Sequence, residues 1–168
     1  MNKFRNFFFC LTSPYNLPGW WADILHFIPR MIGGLALTLD FGSSKFGMPW
    51  SPADRHLALF EVIDWFVRDV SAFGFPFNLA PGFFAWIGAA SEAIGGALIV
   101  LGLQTRMAGF FLCCTMITAI FFQKWEEGLW GMLPAMGFLW IGIYCVILGS
   151  GKLGIDYLTI RLFKSKKT

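Results

Sequence analysis

Charged side chains are scarce in this sequence of 168 residues. Asp, Glu, Lys and Arg together make up 14% of it, whereas hydrophobic residues make up 57%. An average soluble domain carries about 25% charged and about 45–50% apolar residues. The chain has too few charges to cover a surface in water, which argues against a soluble enzyme, a disordered linker or a nucleic-acid-binding protein.

Residues that hold metals or cofactors are also scarce. The two histidines, His26 and His56, lie far apart, and the four cysteines contain no C-x-x-C pair. No spacing matches a metal site, and no flavin, haem, iron–sulfur or nicotinamide motif is visible. We therefore expect no metal, no disulfide and no covalently bound cofactor, and we do not expect the chain to catalyse a reaction alone.

The amino-terminal region has no long apolar segment. Residues 7–11 form an apolar stretch of only five residues, whereas the core of a signal peptide needs about 7–15 residues. We expect residues 1–23 to form a cytoplasmic or interfacial arm that the mature protein keeps.

Long apolar runs dominate the rest of the chain, at about 24–46, 82–103, 107–123 and 133–149. A membrane-spanning helix needs about 17–25 residues, and the runs do not alternate as membrane β-strands do. The first run contains Pro29, at which its helix can also begin. We predict an all-α integral membrane protein, with residues 24–149 as an antiparallel four-helix bundle in the lipid bilayer and residues 150–168 as a basic tail.

The connection between the first and second runs, residues 47–81, is long and has its own pattern. Apolar residues recur at helical spacing within it and charged residues fill much of the rest. We predict an amphipathic helix at about 53–73 that lies on the outer membrane surface; a plain connector and a lid over a site in the bundle are the alternatives. A second interfacial helix is predicted at 157–163, with Asp156 as its cap.

The positions of Lys and Arg predict the orientation. Of the 13 such residues, eight lie inside and four outside if both termini are cytoplasmic, and Arg30 lies within the first span. The positive-inside rule favours this arrangement. We predict a multi-pass protein of a bacterial-type inner membrane with both termini in the cytoplasm.

Glu92 lies near the middle of the second run, where a charge costs at least about 2.5–3.5 kcal/mol and needs a partner, a proton or a water-filled cavity. Gly88 and Gly96 share its helix face, so this face packs against another helix. Arg30 in the first run is the partner that we expect. The pair either clamps two helices or forms part of a site for a polar head group, a quinone carbonyl or a proton.

Asp40 and Lys45 are expected near the outer face, paired with each other, paired with Glu126 and Glu127, or extended to the interface. The candidate polar site therefore comprises Arg30, Glu92 and Lys45, with Arg106, Asp40 and Trp86 behind them.

Three motifs occur in order along the chain. They are Arg30 followed by Gly33 or Gly34 and then F-G-S-S-K at 41–45; E-A-I-G-G with G-L-Q-T-R at 92–106; and G-S-G-K-L-G-I-D at 149–156. Over about residues 28–158 they resemble the DoxX family, whose members are four-helix membrane proteins. The family has His where this chain has Phe41, so any role of that His is missing here, and residues 47–81 are longer than in a minimal member.

The resemblance implies a link to membrane redox chemistry, because some DoxX members are small subunits of a thiosulfate:quinone oxidoreductase and others join oxidative-stress complexes. We interpret the chain as a membrane subunit of a quinone-linked redox system, at most one subunit of an oxidoreductase. It would provide a lipid-side pocket for a quinone and a docking face for a protein partner, alone or as a homo-oligomer. The alternative is a structural or assembly subunit, or a small-molecule permeation protein, with the Arg30–Glu92 pair as a clamp or gate.

Overall fold

The structure is a computed structural model that describes residues 12–15 and 18–165. Residues 20–165 form six α-helices. They are α1 (Trp20–Ala36), α2 (Asp64–Ala72), α3 (Pro81–Leu101), α4 (Thr105–Thr118), α5 (Gly128–Leu148) and α6 (Ile155–Ser165). No strand is present in the described residues beyond a single bridge between Phe46 and Val62. The all-α fold predicted from the continuous apolar runs is confirmed.

Four helical segments are long and apolar enough to cross a membrane: Trp20–Phe41, Pro81–Leu101, Thr105–Gln123 and Trp125–Leu148. π-helical turns extend α1 to Phe41 and α4 to Gln123, and a short 3-10 helix leads into α5. Residues 42–80 and the 123–128 connection lie at one end of the bundle, here called the loop end. The start of α1, the 102–104 turn and the 149–154 loop lie at the other, here called the termini end.

The first and fourth predicted spans have different bounds in the structure. The first extends over Trp20–Phe41 and not 24–46, because Gly42 and the two following serines form a turn in which Ser43 bonds back to the carbonyl of Leu39. Pro29 lies inside α1, so the prediction that the helix could begin there is wrong. The fourth span starts at Trp125, and Pro134 is accommodated within it, as prolines in membrane helices often are.

Glycines set the closest helix contacts of the bundle. A Cβ on Gly34 of α1 would lie 3.0 Å from the carbonyl oxygen of Gly96 on α3, and a Cβ on Gly96 would lie 2.9 Å from that of Gly34. Gly109 of α4 and Gly142 of α5 approach each other in the same way. Backbones pack this closely only where no side chain intervenes, which fits the small-residue face that the sequence predicts beside Glu92.

The long connection folds against the bundle, with a shorter helix than the sequence predicts. Within 53–73, only Asp64–Ala72 is α-helical, because Phe60 adopts a left-handed turn conformation and residues 60–63 bond to residues 45–47 instead of forming a helical turn. The apolar face of α2 buries Phe66 and Val70 against the alanines of α3. The location of α2 relative to a membrane surface stays a prediction.

The terminal segment differs from the prediction in its cap. The helix α6 begins at Ile155, and the carboxylate of Asp156 accepts hydrogen bonds from the backbone of Gln104 and Thr105 at the start of α4. Asp156 therefore caps a neighbouring helix and not its own. Most of the predicted arm, residues 1–11 and 16–17, and the last three residues of the basic tail lie outside the described residues.

Candidate functional site

The central polar contact of the bundle is an ion pair between Lys45 and Glu92. Lys45 Nζ donates a hydrogen bond of 2.6 Å to Glu92 Oε2, and the two side chains are 13% and 5% exposed. The ammonium group also lies 5.1 Å from the centre of the Phe66 ring. A short, shielded ion pair of this kind lowers the cost of holding Glu92 among apolar helices.

The expected Arg30–Glu92 pair is not formed, and this prediction is wrong. Helical side chains lean toward the amino terminus of their own helix. Arg30 on α1 therefore leans toward the termini end, where it bonds the carbonyl of Leu153. Glu92, on the antiparallel α3, leans toward the loop end and meets Lys45. The predictions made for Lys45 are also wrong. Its ammonium group pairs with Glu92 and not with Asp40, Glu126 or Glu127, and it does not extend to the interface.

An apolar cavity of about 290 Å³ lies between α2, α3 and α4, and we call it the aromatic cavity. Six phenylalanines surround it: Phe66, Phe73, Phe77, Phe84, Phe110 and Phe111. Glu92, Thr115 and Gln123 are among its few polar side chains. Phe110 and Phe111 are about half exposed on the surface of the bundle, so the cavity is bounded there by residues that face the lipid. The segment at 64–77 forms another wall.

A second cavity of about 360 Å³, here called the vestibule, lies on the other side of the ion pair. Lys45 and Glu92 line it at the buried side, and Lys124 and Glu127, paired at 2.6 Å, line it at the loop end. Glu92 and Gln123 line both the vestibule and the aromatic cavity. Glu92 is thus a buried carboxylate in the wall of both cavities, and the vestibule has two ion pairs in its otherwise mainly apolar wall.

Arg30 belongs to a separate polar cluster at the termini end. His26 Nε2 lies 3.0 Å from the carbonyl oxygen of Gly149, and Asp23 pairs with Lys152 at 2.8 Å. The spacing of Asp23, His26 and Arg30 places them on one face of α1. This spacing is a sequence signal for the cluster, and it is missed when His26 is treated as isolated. Arg30 and Glu92 thus mark two sites, where the sequence predicts one.

The remaining candidate residues, Arg106, Asp40 and Trp86, line neither the aromatic cavity nor the vestibule. Arg106 is at the termini end, with its Nε buried and without a hydrogen-bond partner in the described chain. Asp40 is exposed and forms no ion pair with a described residue. Trp86 bonds the carbonyl of Phe60 through its indole N–H and packs edge-to-face on Phe46, so it holds the 42–63 segment.

The structure adds residues to the site that the sequence does not single out. Thr115 and Ser91 bond each other at 2.6 Å beside the aromatic cavity, and Gln123 reaches toward Asp69 of α2. Cys114 is exposed and lines the same cavity, whereas Cys145 is buried in the core. Phe66 and Thr115 are ordinary apolar or helix-face residues in the sequence, and their role depends on a neighbouring helix. Cys10 lies outside the described residues.

Comparison with known proteins is informative for the middle of the chain. Residues 57–125 match the family model DoxX. A protein of Bacillus subtilis (strain 168) named "Putative oxidoreductase CatD" is 35% identical over 94 residues. This alignment covers 52% of the chain and 63% of that relative, so the matched part spans less than two thirds of the relative's length. No solved structure matches the chain.

Proposed function

We propose that this chain, which has four helices able to cross a membrane and matches the DoxX family model over residues 57–125, is the membrane subunit of a quinone-linked redox system. The family resemblance is confirmed over those residues. The motifs at 41–45 and 149–156 lie outside the matched segment, and Glu92 lies within it. The name of the Bacillus relative indicates redox chemistry for that protein, and extending it to this chain is part of the proposal.

One observation carries the proposal: a buried Lys–Glu pair stands at the boundary of a cavity surrounded by phenylalanines. A quinone head group is a flat apolar ring with two carbonyl acceptors, so its site needs aromatic walls and a few polar groups. The aromatic cavity offers the phenylalanines together with the Gln123 amide as a donor. Its volume of about 290 Å³ suits a head group, with the apolar tail leaving past Phe110 into the lipid.

Reduction of a quinone to a quinol takes up two electrons and two protons. The electrons would come from a reduced protein partner, because the sequence has no cofactor motif of its own. Glu92 lines both cavities and is the residue positioned to pass protons from the vestibule to the ring. Lys45 would hold the Glu92 carboxylate in place between transfers.

A cavity-filling variant tests the proposal. A Cβ at Gly88 would make ordinary contacts of 3.6–3.8 Å with Phe66 and Thr115, so Gly88→Leu should fold and fill the aromatic cavity. The matched control is Gly137→Leu, on an exposed face of α5 with no atom within 4 Å of its Cβ position. Binding of a short-tailed quinone to the purified protein would be measured by protection of Cys114 from a maleimide reagent.

We expect quinone to protect Cys114 in the wild type and in Gly137→Leu. In Gly88→Leu, the affinity of the protein for quinone should fall at least about tenfold. Glu92→Gln should still bind the quinone but lower the rate of its reduction by the native partner. Equal protection of Cys114 in both leucine variants would contradict a quinone site here. A folded wild type that shows no protection at all would instead favour a structural or permeation role.

A further inference from the structure

Arg30 is a buried cation without a carboxylate partner among the described residues. Its side chain is 1% exposed, and Nη2 donates to the carbonyl of Leu153. Nε and Nη1 are buried and have no hydrogen-bond partner in the described part of the chain. An uncompensated charge inside a membrane bundle is costly, so this guanidinium group calls for an anion.

The two carboxylates of this region are engaged elsewhere. Asp156 accepts three hydrogen bonds at the start of α4, from the backbone of Gln104 and from the backbone and hydroxyl of Thr105. Asp23 is paired with Lys152. Within the described residues, neither carboxylate lies within 4.0 Å of the guanidinium group.

A cavity of about 210 Å³ between α1 and α5 has the Arg30 and His26 side chains in its wall. Leu25, Trp140 and Tyr144 also line it, and these three are exposed on the surface of the bundle. The cavity therefore connects a buried cation with the lipid-facing surface. Trp and Tyr side chains are typical of the level at which lipid head groups lie.

We propose that this cavity binds the phosphate head group of an anionic phospholipid. A phosphate oxygen would accept hydrogen bonds from Arg30, and the acyl chains would lie along Trp140, which is deeper in the bundle. Basic pockets between membrane helices bind anionic head groups in this way, and guanidinium–phosphate bonds are strong because both groups are charged. Because Nε and Nη1 are shielded, binding of the phosphate would require the Arg30 side chain to turn toward the cavity. An anion compensates the buried charge, which a neutral carbonyl does not.

The site does not depend on the quinone proposal, so it is tested separately by lipid binding. Wild type, Arg30→Met and Arg161→Met would be purified and titrated with phosphatidylglycerol or phosphatidylcholine, and retained lipid would be counted by native mass spectrometry. Arg161→Met is the control, because it removes one exposed positive charge. We expect one retained phosphatidylglycerol in the wild type and control, and at least about tenfold weaker binding in Arg30→Met. Equal retention in a folded Arg30→Met protein would overturn the proposal.

A second measurement covers the case in which Arg30→Met does not fold. Phospholipids with brominated acyl chains quench nearby tryptophan fluorescence, and the difference between wild type and Trp140→Phe isolates the contribution of Trp140. Brominated phosphatidylglycerol should quench Trp140 at lower concentration than brominated phosphatidylcholine does. Identical quenching by the two lipids would overturn a site for an anionic head group.

A comparison of free anions distinguishes a lipid head group from free phosphate. Inorganic phosphate should stabilise the protein no more than sulfate does. A specific effect of phosphate alone would indicate a free-anion site and overturn the lipid assignment.

Discussion

The carboxylate of Asp156 closes the amino terminus of the helix that begins at Thr105, 51 residues earlier in the chain. It accepts the backbone N–H of Thr105 and its hydroxyl, both at 3.1 Å, and the N–H of Gln104 at 2.9 Å. In return, the N–H of Asp156 donates to the carbonyl of Gly102. Two of the three sequence motifs, at 92–106 and 149–156, are therefore joined in one structural unit at the termini end.

Replacing Asp156 should destabilise the bundle. Its side chain is 1% exposed, a lost helix cap costs about 0.5–2 kcal/mol, and hydrogen bonds to a charged group are worth about 1.5–3 kcal/mol. We expect Asp156→Ala to lower the thermal midpoint of the purified protein more than Asp156→Asn, which keeps one acceptor oxygen. Asp40→Asn, at an exposed site, is the control. Equal midpoints for Asp156→Ala and the control would show that the cap contributes nothing.

Two adjacent glycines of α3 should respond oppositely to alanine. A Cβ on Gly96 would lie 2.9 Å from the backbone of α1 at Gly34 and at Thr38, whereas a Cβ on Gly95 would lie 4.0 Å from its nearest neighbour. Gly96→Ala should cost about 1–3 kcal/mol because the helices must move apart. Gly95→Ala should be neutral or stabilising, because alanine favours the helix. Denaturation in mixed detergent would measure both, and a loss in Gly95→Ala as large as that in Gly96→Ala would contradict the close contact.

A double-mutant cycle should identify Lys45 as the partner of Glu92. Removing one member of a buried ion pair leaves an uncompensated charge and costs about 3–5 kcal/mol. Lys45→Met combined with Glu92→Leu should therefore be more stable than the sum of the single effects predicts. Arg30→Met combined with Glu92→Leu serves as the comparison and should be additive, because these residues form no pair in the structure. Coupling in the second cycle and not in the first would reverse the assignment.

Both termini should lie on the cytoplasmic side of the membrane. The four candidate spans place the start of α1 and the end of α5 at the same end of the bundle, and the excess of Lys and Arg at that end predicts which side it faces. A carboxy-terminal reporter that is active only in the periplasm should be silent, and one placed in the 53–63 segment should be active. The opposite pattern would invert the predicted orientation.

The number and type of the helices could be read from local sequence. An apolar run of about 20 residues has one stable form in lipid, because a helix satisfies its own backbone hydrogen bonds. The runs around Glu92 and at 107–123 therefore predict helices close to those observed. The small-residue face beside Glu92 was predictable for the same reason, since the helical period places Gly88 and Gly96 on the side of the carboxylate.

The partners of the buried charges could not be read in this way. Arg30 and Lys45 are both cations of the first span and its turn, and their order along the chain does not say which one meets Glu92. The choice depends on the antiparallel arrangement of α1 and α3, which directs Arg30 and Glu92 to opposite ends of the bundle, and on the 42–46 turn that brings Lys45 inward. The aromatic cavity likewise exists only where α2, α3 and α4 meet. Composition and period determine the helices, whereas the directions of side chains on packed helices determine the sites.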